Sequence, residues 1–200
     1  MKQIYDYLYR AGMAKWTQQE PPQQLVDLID REVIKPCRTL DVGCGEGFHS
    51  KYLASLGFQV TGLDFSETAI ARAKTNAPEV DFKVADVVND DITELGTFDF
   101  CLEWGLRHAI PTPSLGNYIK KLATILNPGA PYLSISFNIE SNKFGEPGQR
   151  ERSCGEGQAM WFIPLEEQIE MFGPFYEVIE ARDDCKLGKH EADYLFLRRK

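Results

Sequence analysis

The chain has 200 residues, of which 43% are hydrophobic and 26% are charged, a composition typical of one globular domain. It carries 22 Lys and Arg residues against 30 Asp and Glu residues, so its formal net charge is -8. Nucleic acids and anionic membranes require a basic surface, and we therefore expect the chain to bind neither.

The cysteines and the first residues indicate the compartment. The five cysteines are widely spaced and include no CxxC or Cys/His ligand spacing, so we expect reduced thiols and no metal site. The N-terminal residues MKQIYDYLYRAG contain no apolar segment typical of a secretory signal. No stretch approaches the roughly 20 apolar residues of a membrane span. These features predict a cytoplasmic protein.

Strand and helix patterns alternate along the first half of the chain. Three strands are predicted, at residues 38–42, 58–63 and 80–85. Around them lie three segments in which apolar residues recur at helical spacing. Their predicted inner faces are Leu25, Leu28, Ile29 and Val33, then Tyr52, Leu53 and Leu56, then Ala69, Ile70, Ala73 and Ala77. Gly57 is expected to end the second helix, and Ser66 to cap the third.

The alternation continues to residue 138. A fourth strand is predicted at residues 97–102, running on to Glu103 and Trp104, and a fifth at residues 130–138. The helix between them has an apolar face made of Leu115, Tyr118, Ile119, Leu122, Ile125 and Leu126. Strands that alternate with helices of roughly 10–15 residues are typical of βαβ units and a parallel sheet.

The regular pattern breaks down at residues 139–161, which are rich in glycine and charge. A long segment of this kind is either a substrate lid or a disordered surface loop. The predicted binding face of a lid consists of Arg150, Arg152, Met160 and Trp161. A helix then begins at Pro164, and strands near residues 176–187 and 193–198 are able to pair as an antiparallel hairpin.

A glycine-rich segment and three carboxylates indicate a ligand site. The glycines of residues 43–47 lie between a strand and a helix, where they permit a tight turn and let a ligand reach free backbone amides. Asp64 follows about 20 residues later at a strand end, where a carboxylate accepts ribose hydroxyls. Asp86 ends the next strand, within reach of an adenine edge. Asp41 precedes the turn, where it can hold loop amides or a ligand ammonium.

A dinucleotide-binding turn is the competing interpretation of this segment. Its expected spacing is GxGxxG, whereas the third glycine comes one residue early here and gives GxGxG. Asp41 and Glu46 also place negative charge around the turn, which suits a cationic ligand better than a pyrophosphate. S-adenosylmethionine carries a sulfonium and an ammonium group and no phosphate.

Five segments, in order, resemble the motifs of class I S-adenosylmethionine-dependent methyltransferases. They are LDVGCGEG (40–47), VTGLDFS (60–66), VAD (84–86), FDFCLEWGLRH (98–108) and LNPGAPYLSISF (126–137). The resemblance implies an α/β fold with a doubly wound, Rossmann-like, seven-stranded sheet that is mostly parallel, has an antiparallel last strand and bears helices on both faces. It also implies S-adenosyl-L-methionine as cofactor, S-adenosyl-L-homocysteine as product and a small-molecule acceptor.

The same resemblance implies roles for individual residues. Asp64 would bind the ribose hydroxyls, and Phe65 would lie against the adenine. Asp86 would contact the adenine amino group with Val87 beside it, and Glu103 would face the cofactor from the end of the fourth strand. The residues expected near the methionine part of the cofactor are Asp41, Gly43, Cys44, Gly45 and Gly47.

The N-terminal segment resembles one branch of this family. Trp16, followed by Pro21, Pro22 and a helix, is similar to the start of the thiopurine, thiol, halide and tellurite methyltransferases. In that branch a tryptophan ahead of the first helix helps to cover the cofactor. The alternative is that Trp16 packs the N-terminal helix onto the sheet. Membership of this branch would make the acceptor a candidate thiol.

The residues after the fourth strand are expected to meet the acceptor. Methyl transfer from a sulfonium is an in-line displacement, so the enzyme chiefly aligns the nucleophile and excludes water. A thiol needs little activation, whereas an alcohol or amine calls for a general base. His108 is the candidate base, or else a polar group that braces the loop. Trp104, Arg107 and Trp161 are candidate substrate contacts.

We therefore predict a single methyltransferase domain over residues 1–200. A helical cover is assigned to residues 1–36, the cofactor-binding core to 37–138, the candidate lid to 139–161, and a C-terminal helix and hairpin to 162–200. Two other classes stay open: a non-catalytic S-adenosylmethionine-binding regulatory module and a nicotinamide-dependent dehydrogenase.

Overall fold

A seven-stranded sheet forms the centre of the computed structural model, which describes residues 2–155 and 157–200. Two further short strands form a separate two-stranded sheet. In chain order the strands are β1 (Arg38–Val42), β2 (Gln59–Asp64), β3 (Asp81–Val84), β4 (Phe100–Trp104), β5 (Pro131–Phe137), β6 (Glu151–Ser153), β7 (Ala159–Trp161), β8 (Tyr176–Leu187) and β9 (His190–Arg199).

The large sheet has the strand order β3-β2-β1-β4-β5-β9-β8. Strands β1 to β5 are parallel, and β9 is antiparallel to both of its neighbours, β5 and β8. This confirms the predicted mostly parallel sheet with an antiparallel last strand. The chain adds β2 and β3 on one side of β1 and then β4 on the other. Such a change of direction opens a crevice at the carboxyl ends of β1 and β4.

Helices and apolar cores lie on both faces of the sheet. The helices are α1 (Lys2–Arg10), α2 (Gln23–Asp30), α3 (Phe48–Ser55), α4 (Glu67–Asn76), α5 (Thr112–Ile125) and α6 (Leu165–Phe172). Phe100 and Leu102 of β4 share a core with α2, α3 and α4, whereas Cys101 shares a second core with α5. Alternate residues of a buried parallel strand thus face different cores. In the described residues no helix combines the length and apolar character that crossing a membrane requires.

The predicted inner face is confirmed for α4 but not entirely for α2 and α3. All four predicted core residues of α4 are buried, and Ser66 Oγ accepts a hydrogen bond from Ala69 N at 3.2 Å. The prediction for Val33 is wrong: α2 ends at Asp30, Val33 is 44% exposed, and Ile34 is buried instead. The prediction for Leu56 is also wrong, because Leu56 follows the end of α3 and is 40% exposed.

Residues 139–155 and 157–161 fold around one buried arginine. β6 and β7 pair as an antiparallel hairpin, where the sequence pattern suggests only irregular structure. The Arg152 guanidinium lies 3.8 Å from the centre of the Phe162 ring. It donates hydrogen bonds to main-chain carbonyl oxygens of Ile139, Ser141, Lys143 and Gln149. These contacts hold the segment in a defined conformation.

Candidate cofactor and acceptor site

A cavity of about 930 Å³ lies at the carboxyl ends of the parallel strands. Its walls include residues that end or follow each of the first five strands, among them Gly43, Asp64, Asp86, Trp104 and Phe137. The N-terminal segment and part of the 139–161 segment complete the enclosure. Small-molecule sites usually measure about 300–1,000 Å³, so this cavity has room for a nucleoside cofactor together with a small acceptor.

The glycine turn at residues 43–47 depends on the absence of side chains. Its three glycines have φ values of 74°, 54° and 79°, which other residues rarely adopt. A Cβ atom at Gly47 would lie 2.6 Å from the ring of Phe82, and one at Gly45 would lie 2.8 Å from the Tyr9 hydroxyl. The glycines therefore allow the tight turn, its packing on β3 and the close approach of α1.

The first three main-chain amides of this turn are bonded within the protein. Gly43 N and Cys44 N donate to the Leu63 carbonyl at 2.8 and 2.9 Å. Gly45 N donates to Asp64 Oδ2 at 3.0 Å. The expectation that free amides meet the ligand here is therefore wrong for these three groups. A turn of this kind does not offer the cluster of free N–H groups that binds a phosphate.

Asp64 lies at the end of β2 and, with Phe65, lines the cavity. Its Oδ1 accepts a hydrogen bond from Ser66 N at 2.9 Å, and its Oδ2 accepts one from Gly45 N at 3.0 Å. Burial raises the pKa of Asp64 to about 6, although these backbone hydrogen bonds act in the opposite direction. The carboxylate is thus fixed in position at the mouth of the glycine turn.

Asp86 shapes the turn that follows β3. Its Oδ1 accepts hydrogen bonds from Val88 N at 2.9 Å and from Asn89 N at 3.2 Å, and its Oδ2 accepts one from Asn89 Nδ2 at 2.8 Å. Asp86 and Val87 both line the cavity. The two neighbouring strand ends therefore bring Asp64, Phe65, Asp86 and Val87 to one side of the site, as the sequence suggests.

Asp41 and Gly47 lie behind the cavity rather than in its wall. Asp41 is buried and accepts a hydrogen bond from Ser50 Oγ at 2.5 Å, which joins β1 to α3. Burial raises the pKa of Asp41 to about 6. Among the described residues that line the cavity, neither Asp41 nor Gly47 is present, whereas Gly43, Cys44 and Gly45 are. The sequence-based roles of Asp41 and Gly47 as ligand contacts therefore need revision.

Glu103 is a structural residue and does not face the cavity. It has 0% exposure, and its Oε1 accepts a hydrogen bond from Arg107 N at 3.0 Å. Its Oε2 accepts from the hydroxyls of Tyr118 at 2.9 Å and Tyr132 at 2.5 Å. The carboxylate joins β4 to α5 and β5, so the expectation that it contacts the cofactor is not met.

His108 lines the cavity, and its hydrogen-bond partners determine which ring nitrogen carries the proton. Its Nδ1 lies 2.8 Å from Ser136 Oγ and accepts a hydrogen bond from Phe137 N at 3.3 Å. Because Nδ1 accepts from Phe137 N it carries no proton, so the Ser136 hydroxyl donates to it while accepting from His108 N at 3.0 Å. The neutral ring therefore carries its proton on Nε2. Burial and nearby cations lower the pKa of His108 to about 3.

The three candidate substrate contacts lie in different places. Trp104 lines the cavity, and its Nε1 has no hydrogen-bond partner among the described residues. Arg107 is buried away from the cavity, where it donates to Ser134 Oγ at 2.7 Å. Trp161 also lies outside the cavity wall, while its neighbour Met160 lines it. The proposed contacts of Arg107 and Trp161 with a substrate are therefore not supported by their positions.

Trp16 belongs to an aromatic cover over the glycine turn. Its Nε1 donates a hydrogen bond to the Tyr9 hydroxyl at 2.9 Å. The Trp16 ring makes edge contacts with Tyr5 and Tyr9, at centroid distances of 5.5 and 5.4 Å. Tyr5 in turn lies 5.5 Å from Phe65. All four aromatic residues line the cavity. Trp16 thus packs against α1 and also lines the cavity, and its role as a cover of the cofactor stays a prediction.

Sequence reasoning missed the end of the cavity at β5 and β9. Phe137 stacks on His108 at 4.5 Å and makes an edge contact with His190 at 5.8 Å. Lys143 and Gln158 also line this end. Phe137 could have been found, because it ends the strand next to β4 in a parallel sheet. Lys143 and Gln158 lie in a segment without a periodic pattern and gave no such signal.

The strand order and the cavity define an α/β protein with a nucleoside-type site at its topological switch point. Among the described residues, no three His, Cys, Asp or Glu side chains are arranged to hold a metal ion. Residues 39–129 match the family described as "Methyltransferase domain". This match supports the resemblance of the chain to class I S-adenosylmethionine-dependent methyltransferases.

Two kinds of comparison place the chain among known proteins. It is 34% identical over 119 residues to a ubiquinone biosynthesis O-methyltransferase of Burkholderia cenocepacia, a match that covers 56% of this chain and 50% of the relative. The chain thus spans about half the length of the curated relatives it matches.

Solved structures share the fold over the whole chain. The 1,6-didemethyltoxoflavin-N1-methyltransferase of Burkholderia thailandensis, solved with 1,6-didemethyltoxoflavin and S-adenosylhomocysteine, has a TM-score of 0.79 at 18% identity and covers 100% of this chain and 87% of its own. A TehB-like methyltransferase of Corynebacterium glutamicum has a TM-score of 0.67 at 20% identity and covers 99% and 95% of the two chains.

Proposed function

We propose that the protein transfers the methyl group of S-adenosylmethionine to a small-molecule acceptor. The main support for this proposal is that the glycine turn and the ends of β2 and β3 together form one wall of the cavity. Asp64 and Phe65 stand beside Asp86 and Val87 there, within a cavity that the N-terminal segment covers. The match of residues 39–129 to a methyltransferase domain supports the same activity.

The donor groups of this wall fit the cofactor. Asp64 would accept the ribose hydroxyls while keeping its bonds to Ser66 N and Gly45 N, because each carboxylate oxygen has two lone pairs. Asp86 and Val87 would contact the adenine, and Phe65 would lie against it. Trp16 would shield the bound cofactor from water. When bound, the cofactor supplies a methyl group whose bond to sulfur breaks as the acceptor bonds to the methyl carbon in line.

The glycine turn disfavours the dehydrogenase alternative. A nicotinamide dinucleotide needs free loop amides for its pyrophosphate, whereas Gly43 N, Cys44 N and Gly45 N are already bonded. Asp64 and Glu46 add negative charge at the same place. A phosphate-free cofactor with positive charge fits these groups better.

The acceptor is proposed to react as an anion, through sulfur or oxygen. His108 carries its proton on Nε2, so its free lone pair is not directed at the cavity. Burial lowers the pKa of His49, the other imidazole beside the β4 end of the cavity, to about 4, which makes it a weak base. Thiolates and phenolates need no base at the moment of transfer. The name of the Burkholderia cenocepacia relative suggests oxygen, and the resemblance of the Trp16 segment to the thiol branch suggests sulfur.

We also propose a role for each of the four parts of the chain that the sequence defines. We propose that residues 1–36 act as the helical cover of the cofactor, residues 37–138 as its binding core, and residues 139–161 as the substrate lid. Residues 162–200 would complete the sheet of the same methyltransferase domain.

Calorimetry and turnover test this proposal together. We expect S-adenosylhomocysteine to bind the protein and NAD not to bind. Labelled S-adenosylmethionine should then transfer label to at least one member of a panel of thiols, phenols, amines and carboxylates. Tight binding of S-adenosylhomocysteine without transfer to any acceptor would indicate the regulatory binding module instead. Binding of NAD alone would indicate a dehydrogenase.

A further inference from the structure

Charge is unevenly distributed along the cavity. The side formed by the glycine turn and the ends of β2 and β3 carries Glu46, Asp64 and Asp86. The opposite end, next to β5 and the β8–β9 turn, carries Lys143 and Lys189. No Asp or Glu side chain from the described part of the chain lines that end. It is therefore electropositive in a chain whose formal net charge is -8.

Lys143 has no carboxylate partner at this end. Its Nζ lies 4.5 Å from the centre of the Phe144 ring, and none of the ion pairs among the described residues includes it. Its ammonium is one of the cations that act on the two imidazoles at this end, His108 and His190. The pKa of His108 and the pKa of His190 are lowered mainly by burial and further by nearby cations, which include Lys143.

Two further hydrogen-bond donors line the same end. Gln158 is 7% exposed, and its Nε2 has no hydrogen-bond partner among the described residues. His108 presents a protonated Nε2, because Ser136 and Phe137 both bond to its Nδ1. β7 packs against the turn that carries His108, so the hairpin that holds Gln158 lies beside this imidazole. Buried polar groups are normally paired, and a ligand acceptor atom would satisfy Gln158.

A cluster of three aromatic rings lies at the same end of the cavity. The Phe137 and His108 rings are 4.5 Å apart with an interplanar angle of 36°. His190 makes an edge contact with Phe137 at 5.8 Å. Aromatic surfaces of this kind bind planar rings by stacking or by edge contacts.

From this combination we propose that the acceptor is a planar aromatic anion. Its negative group would meet Lys143 and Gln158, and its ring would lie against Phe137 and His108. Lys189, in the β8–β9 turn, would add positive charge at the rim. The inference rests on the proposed methyltransferase function, because it names the acceptor class of that reaction. An acceptor that arrives ionised needs no proton removed as the methyl group is transferred.

Matched probes that differ only in charge test this assignment. The pairs are benzoate with benzamide and 2-naphthoate with 2-naphthamide, titrated by calorimetry into protein saturated with S-adenosylhomocysteine. The variants are Lys143→Gln, Lys143→Arg and the control Lys74→Gln. Lys74 is exposed on α4, does not line the cavity, and its substitution removes the same charge.

We expect at least one carboxylate to bind about tenfold more tightly than its amide, because charge-assisted hydrogen bonds are stronger than neutral ones. Lys143→Gln should abolish this preference, Lys143→Arg should restore most of it, and Lys74→Gln should leave it unchanged. Equal affinities within both pairs, absence of binding by every probe, or a preference that survives Lys143→Gln would each overturn the assignment.

The same titrations separate this inference from the proposed function. If Lys143→Gln weakens S-adenosylhomocysteine binding by about tenfold, Lys143 holds the carboxylate of the cofactor and the acceptor assignment is overturned. If the wild type does not bind S-adenosylhomocysteine, the proposed function itself fails. Normal cofactor affinity with no selectivity for carboxylates rejects the acceptor class alone.

Discussion

Asp64→Asn should weaken S-adenosylhomocysteine binding strongly while the protein stays folded. In the wild type both carboxylate oxygens are held by main-chain donors, at 2.9 Å from Ser66 N and 3.0 Å from Gly45 N, and keep lone pairs for two ribose hydroxyls. The amide group of asparagine removes the charge and one acceptor oxygen. Hydrogen bonds to charged groups contribute about 1.5–3 kcal/mol, so we expect a loss of about 2–3 kcal/mol, or about 30- to 150-fold in Kd.

The effect of pH on the same affinity has a definite sign. Burial raises the pKa of Asp64 to about 6 in the free protein, and the ionised carboxylate is the form that accepts both hydroxyls. Affinity should therefore be full above pH 7 and fall as pH decreases through 6, by about tenfold at pH 5. Asp64→Asn should be flat over this range, because an amide does not titrate.

Calorimetric titration of S-adenosylhomocysteine at pH 5, 6, 7 and 8 measures both effects. The control is Asp81→Asn, an equal loss of charge at an exposed position of β3 that does not line the cavity. Titration of the ligand itself is common to all variants and cancels in the ratio of their affinities. An unchanged Kd in folded Asp64→Asn protein, or the same pH dependence in the variant and the wild type, would refute the ribose assignment.

Three other predictions separate scaffold residues from ligand contacts. Glu103→Gln should lower the free energy of unfolding, measured in urea, by about 2 kcal/mol, because three donors lose a charged acceptor. Its affinity for S-adenosylhomocysteine should stay near that of the wild type. A large loss of affinity in the folded variant would show that Glu103 contacts the cofactor. Gly129→Ala should cost about 1–2 kcal/mol of backbone strain. Gly47→Ala should destabilise the protein more, because only the Cβ at Gly47 clashes with Phe82, at 2.6 Å. Equal unfolding free energies of the two variants would contradict this packing. In ¹⁵N-edited NMR spectra His108 should remain neutral and protonated on Nε2 from pH 8 to pH 5, since its pKa is lowered to about 3, and a titration near pH 6.5 would show that the ring is accessible as a base.

The positions of the parallel strands along the chain could be predicted because each strand has a local signature. β1 occupies the predicted residues 38–42 and runs directly into the glycine turn. The end of α2 could not be predicted in the same way. The chain turns there because Glu32 adopts a φ of 55° and Val33 N donates to the Leu28 carbonyl at 2.9 Å. A glycine usually marks such a turn, and no glycine stands at this position.

The roles of the buried carboxylates depend on contacts that are distant in sequence. Asp64 and Glu103 both end parallel strands, so the sequence gives no reason to treat them differently. The structure separates them by their neighbours: Asp64 bonds to the main chain of the turn and lines the cavity, whereas Glu103 is enclosed by the hydroxyls of Tyr118 and Tyr132. Both tyrosines fit an apolar helix or strand pattern, and that pattern does not show where their hydroxyl groups point.

The position of the N-terminal cover is also decided by a long-range contact. Asp6 is one polar residue in an amphipathic helix and, judged by sequence, belongs to a solvated face. In the structure its Oδ1 accepts hydrogen bonds from Ser66 Oγ at 2.8 Å and Thr68 N at 3.0 Å, at the start of α4. Ser66 N donates to Asp64, so the carboxylate that anchors the cover and the carboxylate proposed for the ribose share one residue. Since the cover and the ribose site meet at Ser66, displacement of α1 would disturb the cofactor contact as well as the shielding by Trp16.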